Sequence, residues 1–94
     1  MPFPQQDARA FTRANIEAIR PGQIGVYGLF RGNQWVYVGR GDIRERLLRH
    51  FDGDNELINR WAQTHWVDEV TSNDAARERQ LILELQPACN QRVG

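Results

Sequence analysis

Two apolar runs, QIGVYGLF at residues 23–30 and QWVYVG at residues 34–39, are separated by Arg31, Gly32 and Asn33. This strand, turn, strand signal constrains the fold more than any other stretch. Val, Tyr, Phe and Trp suit a half-buried pleated surface, and a short Gly-containing turn between two such runs specifies an antiparallel hairpin. Each strand carries a tyrosine within two residues of a glycine. Side chains on neighbouring strands approach to about 5 Å, so Tyr27 and Tyr37 can face one pocket, or can simply pack. The hairpin alone leaves both readings open.

Helices flank the hairpin. Asp42 stands where an N-cap belongs, and Ile43, Leu47, Leu48 and Phe51 then recur at helical spacing. The glycines at 39 and 41 let the backbone turn directly from strand into helix. DGDN breaks that helix, and Asn55 caps a short one through Leu57, Ile58 and Trp61. HWVDEVTS alternates weakly and predicts a third strand, after which Ser72 or Asn73 caps DAARERQLILEL and Pro87 ends it. Upstream, Phe11, Ile16 and Ile19 predict a helix over residues 7–19, stopped by Pro21 and Gly22. The expected fold is α+β, a small three-stranded, mainly antiparallel sheet flanked by helices, with residues 1–22 as a helical extension and residues 23–94 as the main domain.

Ninety-four residues suit one small domain, and 40% hydrophobic with 26% charged residues suits a globular chain. Formal net charge is +0, which excludes a general basic field, so any nucleic-acid surface must be local. Every one of the basic side chains is arginine. Cys89 is the only cysteine, which fits a reducing compartment and excludes an intrachain disulfide. No leader pattern and no membrane-length apolar run is present, so the expectation is a cytoplasmic protein without a membrane partner.

Chemistry-bearing residues lie after the hairpin. Arg46 and His50 are four apart on one helix face, surrounded by Arg40, Arg44 and Arg49. They form either a phosphate-binding face or a solvated helix balanced by Asp42 and Glu45. Glu78 sits at the rim of an apolar stripe of Leu81, Ile82 and Leu85. It is either a helix-start charge favoured by the dipole or a ligand for a hard divalent cation, which commonly takes one or two carboxylates with phosphate and water oxygens.

The combination is more specific than its parts. GVY, then YVG ten residues later, then R-L-L-R-H on a helix, then ERQLILELQPACN resembles the GIY-YIG endonuclease family from Gly25 to Asn90. The resemblance implies a metal-dependent endonuclease that hydrolyses DNA phosphodiester bonds at a single-metal site. Its catalytic residues would be Tyr27, Tyr37, Arg46, His50 and Glu78. Glu78 would hold one Mg²⁺ or Mn²⁺, which stabilises charge as a Lewis acid. Arg46 would clamp the phosphate with its forked donors.

Either tyrosine would serve as base, since a phenol of pKa about 10 needs a neighbouring cation or metal-bound water to act near neutrality. His50 would assist proton transfer or orient a tyrosine. Arg40, Arg44 and Arg49 would meet the DNA backbone, and Gly25, Gly39 and Asn90 would support the site. Specificity would come from substrate shape, a targeting protein or a homodimer. Two other classes fit the residues: a nucleic-acid-binding module of the same fold that cleaves little without a partner, and a protein-interaction domain resting on Trp35, Trp61 and Trp66.

Overall fold

The hairpin forms where the alternation places it. In the computed structural model, which describes residues 3–90, β2 (Ile24–Arg31) pairs antiparallel with β3 (Gln34–Asp42) through the turn at Gly32 and Asn33. Leu29 opposes Tyr37 but Phe30 opposes Trp35, so Val36 is the extra residue of a bulge. Strict alternation would put Trp35 and Tyr37 on the same face. The bulge separates them, placing Trp35 with Phe30 at a ring separation of 5.2 Å and leaving Tyr37 with Leu29.

The expected third strand is β4 (His65–Val70), which pairs antiparallel with β2. Trp66 and Val67 are both buried although they point to opposite faces, because each face of the sheet is covered by its own helical layer. What covers the far side of β4 corrects the three-strand expectation. A two-residue strand, β1 (Arg9–Ala10), pairs antiparallel with β4 and makes the sheet four-stranded in the order β1-β4-β2-β3.

The same segment corrects the helix expected over residues 7–19. Thr12 is extended, at φ −126° and ψ 154°, and its hydroxyl accepts from the Asn15 amide, so α1 is only Arg13–Glu17. Thr12 therefore divides the apparent period, with strand before it and helix after it. Residues of this segment enter the common core: Ile16 and Ile19 pack with Tyr27, Leu29 and Trp66, and Phe3 packs with Val26 and Val38.

Two helical layers cover the sheet. The face carrying Tyr27, Leu29 and Trp66 receives α2 (Ile43–Phe51) through Ile43 and Leu47, with α3 (Glu56–Trp61) contributing Ile58. The opposite face, with Val26, Val38 and Val67, receives α4 (Asp74–Leu85) through Leu81, Ile82 and Leu85. Burial of these side chains is the main driving force, at about 25 cal/mol per Å² of apolar surface.

Candidate active site

The site begins with a glycine. Tyr27 opposes Gly39 across the hairpin, and Tyr37 lies two residues before Gly39 on the same face. A Cβ at Gly39 would run into the Tyr27 hydroxyl and come within 2.8 Å of the Tyr37 ring. Its absence lets the two rings share that face, 6.3 Å apart. Gly25 has a different task, because a Cβ there would strike the Glu69 carbonyl of β4. It permits close approach of β4 and pairs on its other side with Gly41 of β3.

At the end of β3 the chain turns sharply. Gly41 takes φ 122°, a region disfavoured for side-chain-bearing residues, and Asp42 then caps α2 by accepting from the Glu45 amide at 3.1 Å. The other Asp42 oxygen accepts from the Gly22 amide, fixing the helix start against the base of the hairpin. Ile43, Leu47 and His50 form the buried stripe of α2, and this stripe carries His50 onto the tyrosines. Tyr27 Oη lies 2.7 Å from His50 Nε2, and the Tyr37 ring lies 5.3 Å from the imidazole.

The electrostatics follow from burial. Burial pushes the Tyr27 phenol well above its ordinary value, Tyr37 adds to the rise, and the Arg46 guanidinium against it works the other way. Tyr37 is raised by burial and by Glu78, and Arg46 again opposes. His50 is lowered by burial, with Asp54 pulling it up and Arg46 adding to the fall. The imidazole is therefore neutral at pH 7 and able to accept a proton. Arg46 forms no ion pair among the described residues, and its guanidinium lies against the Tyr27 hydroxyl.

Glu78 arrives from the other side of the sheet. β3 is an edge strand, so α4 can reach round it to the start of α2. A cleft of about 500 Å³ there is lined by Arg40, Gly41, Asp42, Glu45, Arg46 and Glu78. Arg40 bridges two carboxylates one helical turn apart, at 3.5 Å from Glu78 and 3.4 Å from Asp74. Burial raises the Glu78 pKa, Asp74 adds to the rise, and Arg40 and Arg46 lower it.

The donor set fits a hard cation. Glu78 offers half-buried carboxylate oxygens at a cleft, where this pair of acids already holds a positive group. Among the described residues no cluster of three or more His, Cys, Asp or Glu could hold a metal, so further ligands would be substrate or water oxygens.

The expected residues are distributed unequally. Tyr27, Tyr37, His50 and Arg46 meet, and Arg46 and Glu78 share the cleft. Neither tyrosine lines it: Tyr27 is fully buried and Tyr37 half-buried. Arg49 is paired with Glu45 at 2.9 Å on the exposed helix surface, and Arg44 has its Nε buried without a hydrogen-bond partner. Neither lines the cleft, whereas Arg40 does.

Asn90 is a clamp: its amide accepts from Val38 N at 2.7 Å and donates to Val38 O at 2.9 Å, satisfying the open edge of β3. Trp66 is core, Trp35 is stacked on Phe3, and only Trp61 is substantially exposed. Sequence reasoning missed Asp54, whose Oδ1 lies 3.2 Å from His50 Nδ1. The i,i+4 spacing from His50 was its signal, hidden by the helix break that DGDN announces. Among the described residues no helix is long and apolar enough to cross a membrane. The site stands on its own geometry, since no known family, curated protein or solved structure matches the chain.

Proposed function

We propose that the chain is a metal-dependent endonuclease that hydrolyses DNA phosphodiester bonds at a GIY-YIG-type site holding one Mg²⁺ or Mn²⁺. The observation that carries this reading is the meeting of Arg46, which lines the cleft without an ion pair among the described residues, with Glu78 from one side and the Tyr27–His50 hydrogen bond from the other. Three residues from β2 and α2 and one from α4 supply the parts that phosphodiester hydrolysis requires: a proton acceptor, a phosphate clamp and a cation ligand.

Arg46 binds two phosphate oxygens through its fork and orients the phosphorus. Neutral His50 accepts the phenol proton of Tyr27 as the attacking water gives its own proton to the phenol oxygen. Glu78 would hold the divalent ion, which when bound would supply Lewis acidity at the phosphate. Arg40 bridges Asp74 and Glu78 in the free chain. The reading is tested on branched, flapped and linear DNA incubated with Mg²⁺, with Mn²⁺ and with chelator. Metal-dependent products from at least one substrate are expected; intact DNA throughout overturns it.

A second reading, a nucleic-acid-binding module of this fold with little cleavage unless a partner is present, draws on one specific observation. Tyr27 is fully buried and held as a neutral phenol, so a partner or substrate must open the site before that oxygen meets water. Binding of DNA without products under every metal condition is its signature.

A further inference from the structure

Beyond the residues already assigned, a chain of polar groups runs out of the site to the surface. Tyr27 is fully buried, the His50 side chain is 7% exposed and the Asp54 side chain 46% exposed. Tyr27 Oη lies 2.7 Å from His50 Nε2, and His50 Nδ1 lies 3.2 Å from Asp54 Oδ1. Arg46 lies against the Tyr27 hydroxyl at the inner end.

The two ends of this chain are chemically one-directional. A guanidinium can only donate, and a carboxylate can only accept. The carboxylate therefore requires the hydrogen on His50 Nδ1, which leaves Nε2 to accept the Tyr27 hydroxyl hydrogen. The reverse tautomer would set Nε2–H and the guanidinium as two donors around one phenol, and would leave Nδ1 facing the carboxylate with no hydrogen between them.

We propose that Asp54 is a positioning residue, which holds His50 in the Nδ1-protonated tautomer so that Nε2 accepts the Tyr27 proton and the Tyr27 oxygen is left as an acceptor on the side that faces Arg46. This rests on the nuclease reading for its purpose, though not for its geometry. In the reaction Arg46 turns from Tyr27 onto the phosphate. As a water oxygen bonds to phosphorus, its proton passes to the Tyr27 oxygen while the Tyr27 proton passes to His50 Nε2. The bond from phosphorus to the leaving oxygen breaks, and that oxygen takes a proton from solvent. His50, now an imidazolium whose Nδ1–H stays on Asp54, returns its Nε2 proton to solvent through Tyr27. No electron pair or proton is left over. The groups that face His50 are Asp54 from the loop after α2, Arg46 on α2, Tyr27 on β2 and Tyr37 on β3.

The test uses the full chain and has two readouts. Ring ¹⁵N NMR of His50, assigned by loss of its signals in His50→Gln, reports the tautomer directly. The wild type is expected to be Nδ1-protonated, Asp54→Ala to give a mixture, and Asp54→Asn to keep the tautomer through its amide oxygen. Cleavage supplies the second readout. Asp54→Ala should lower kcat roughly 10-fold to 100-fold with KM unchanged, as loss of a partner behind a functional imidazole does, and Asp54→Asn should recover most of it. In both variants the acid limb of kcat against pH should move to lower pH, because Asp54 raises the His50 pKa; a merely structural loss would not move that limb.

An Nε2-protonated wild type overturns the proposal, as does an Asp54→Ala protein whose tautomer and acid limb are both unmoved. If no DNA is cleaved under any condition, the nuclease reading falls, and the tautomer measurement still decides the role of Asp54.

Discussion

At the scale of single residues, burial of polar groups in an apolar layer shifts Tyr27, Tyr37, His50 and Glu78. His50 shows the consequence for stability. Burial lowers its pKa beneath the ordinary 6.5, so as pH falls below that value the unfolded chain takes up a proton that the folded chain resists. The unfolded state then binds more protons, and stability falls with acidification. We expect the melting temperature to drop between pH 7 and pH 5, and the drop to shrink in His50→Gln. A wild-type profile that is flat, or one that rises toward pH 5, would contradict the burial assigned to the imidazole.

At the scale of elements, the edge of β3 is closed by three neighbouring residues. Ala88 and Cys89 donate backbone N–H groups to Trp35 and Val36, and Asn90 satisfies both backbone groups of Val38 through its side chain. Asn90→Ala should leave a part-buried N–H and C=O unpaired and cost about 1–3 kcal/mol, read by urea unfolding. A loss below a few tenths would mean that water replaces the clamp without penalty.

Elements also differ in how far the sequence exposes them. β2 and β3 were legible because alternation and a short turn are local signals, and Asp42 and Asn55 were legible as caps because each donor lies three residues on. The bulge at Val36 was not, since it depends on which residues of the partner strand pack. β1 was hidden for a related reason: Arg9 and Ala10 become a strand only by finding β4 more than fifty residues away, and the Phe11, Ile16, Ile19 spacing mimics one continuous helix. The meeting of Glu78 with Arg46 around an edge strand is likewise a property of the assembled sheet, and only the family resemblance suggested it.

At the scale of the whole molecule, the N-terminal segment is structural. Phe3, Ile16 and Ile19 are buried in the two faces of the core, and β1 closes an outer edge of the sheet. Removing residues 1–20 should therefore abolish cooperative unfolding, measured by circular dichroism, instead of yielding a folded domain with altered DNA preference. A truncated chain that melts like the full one would refute this.

Charge sets the other molecular property. Net charge is +0, and Arg40 and Arg49 are engaged by carboxylates. Of the four arginines around the site this leaves Arg44 and Arg46 for phosphates, so log affinity should fall against log salt with a slope of only about two. Nanomolar binding to linear duplex at physiological salt, or a much steeper slope, would show a larger basic surface than these residues provide.

The central claim is that Glu78 holds a cation at a hydrolytic site, and the most direct measurement compares DNA cleavage by wild type and Glu78→Ala under matched Mg²⁺ and chelator. The account predicts metal-dependent products from the wild type and none from the variant, with the variant folded and its DNA affinity nearly unchanged, since the lost group lies at a cleft and not in the core. Equal turnover by the two proteins, or equal turnover by the wild type in Mg²⁺ and in chelator, would contradict it.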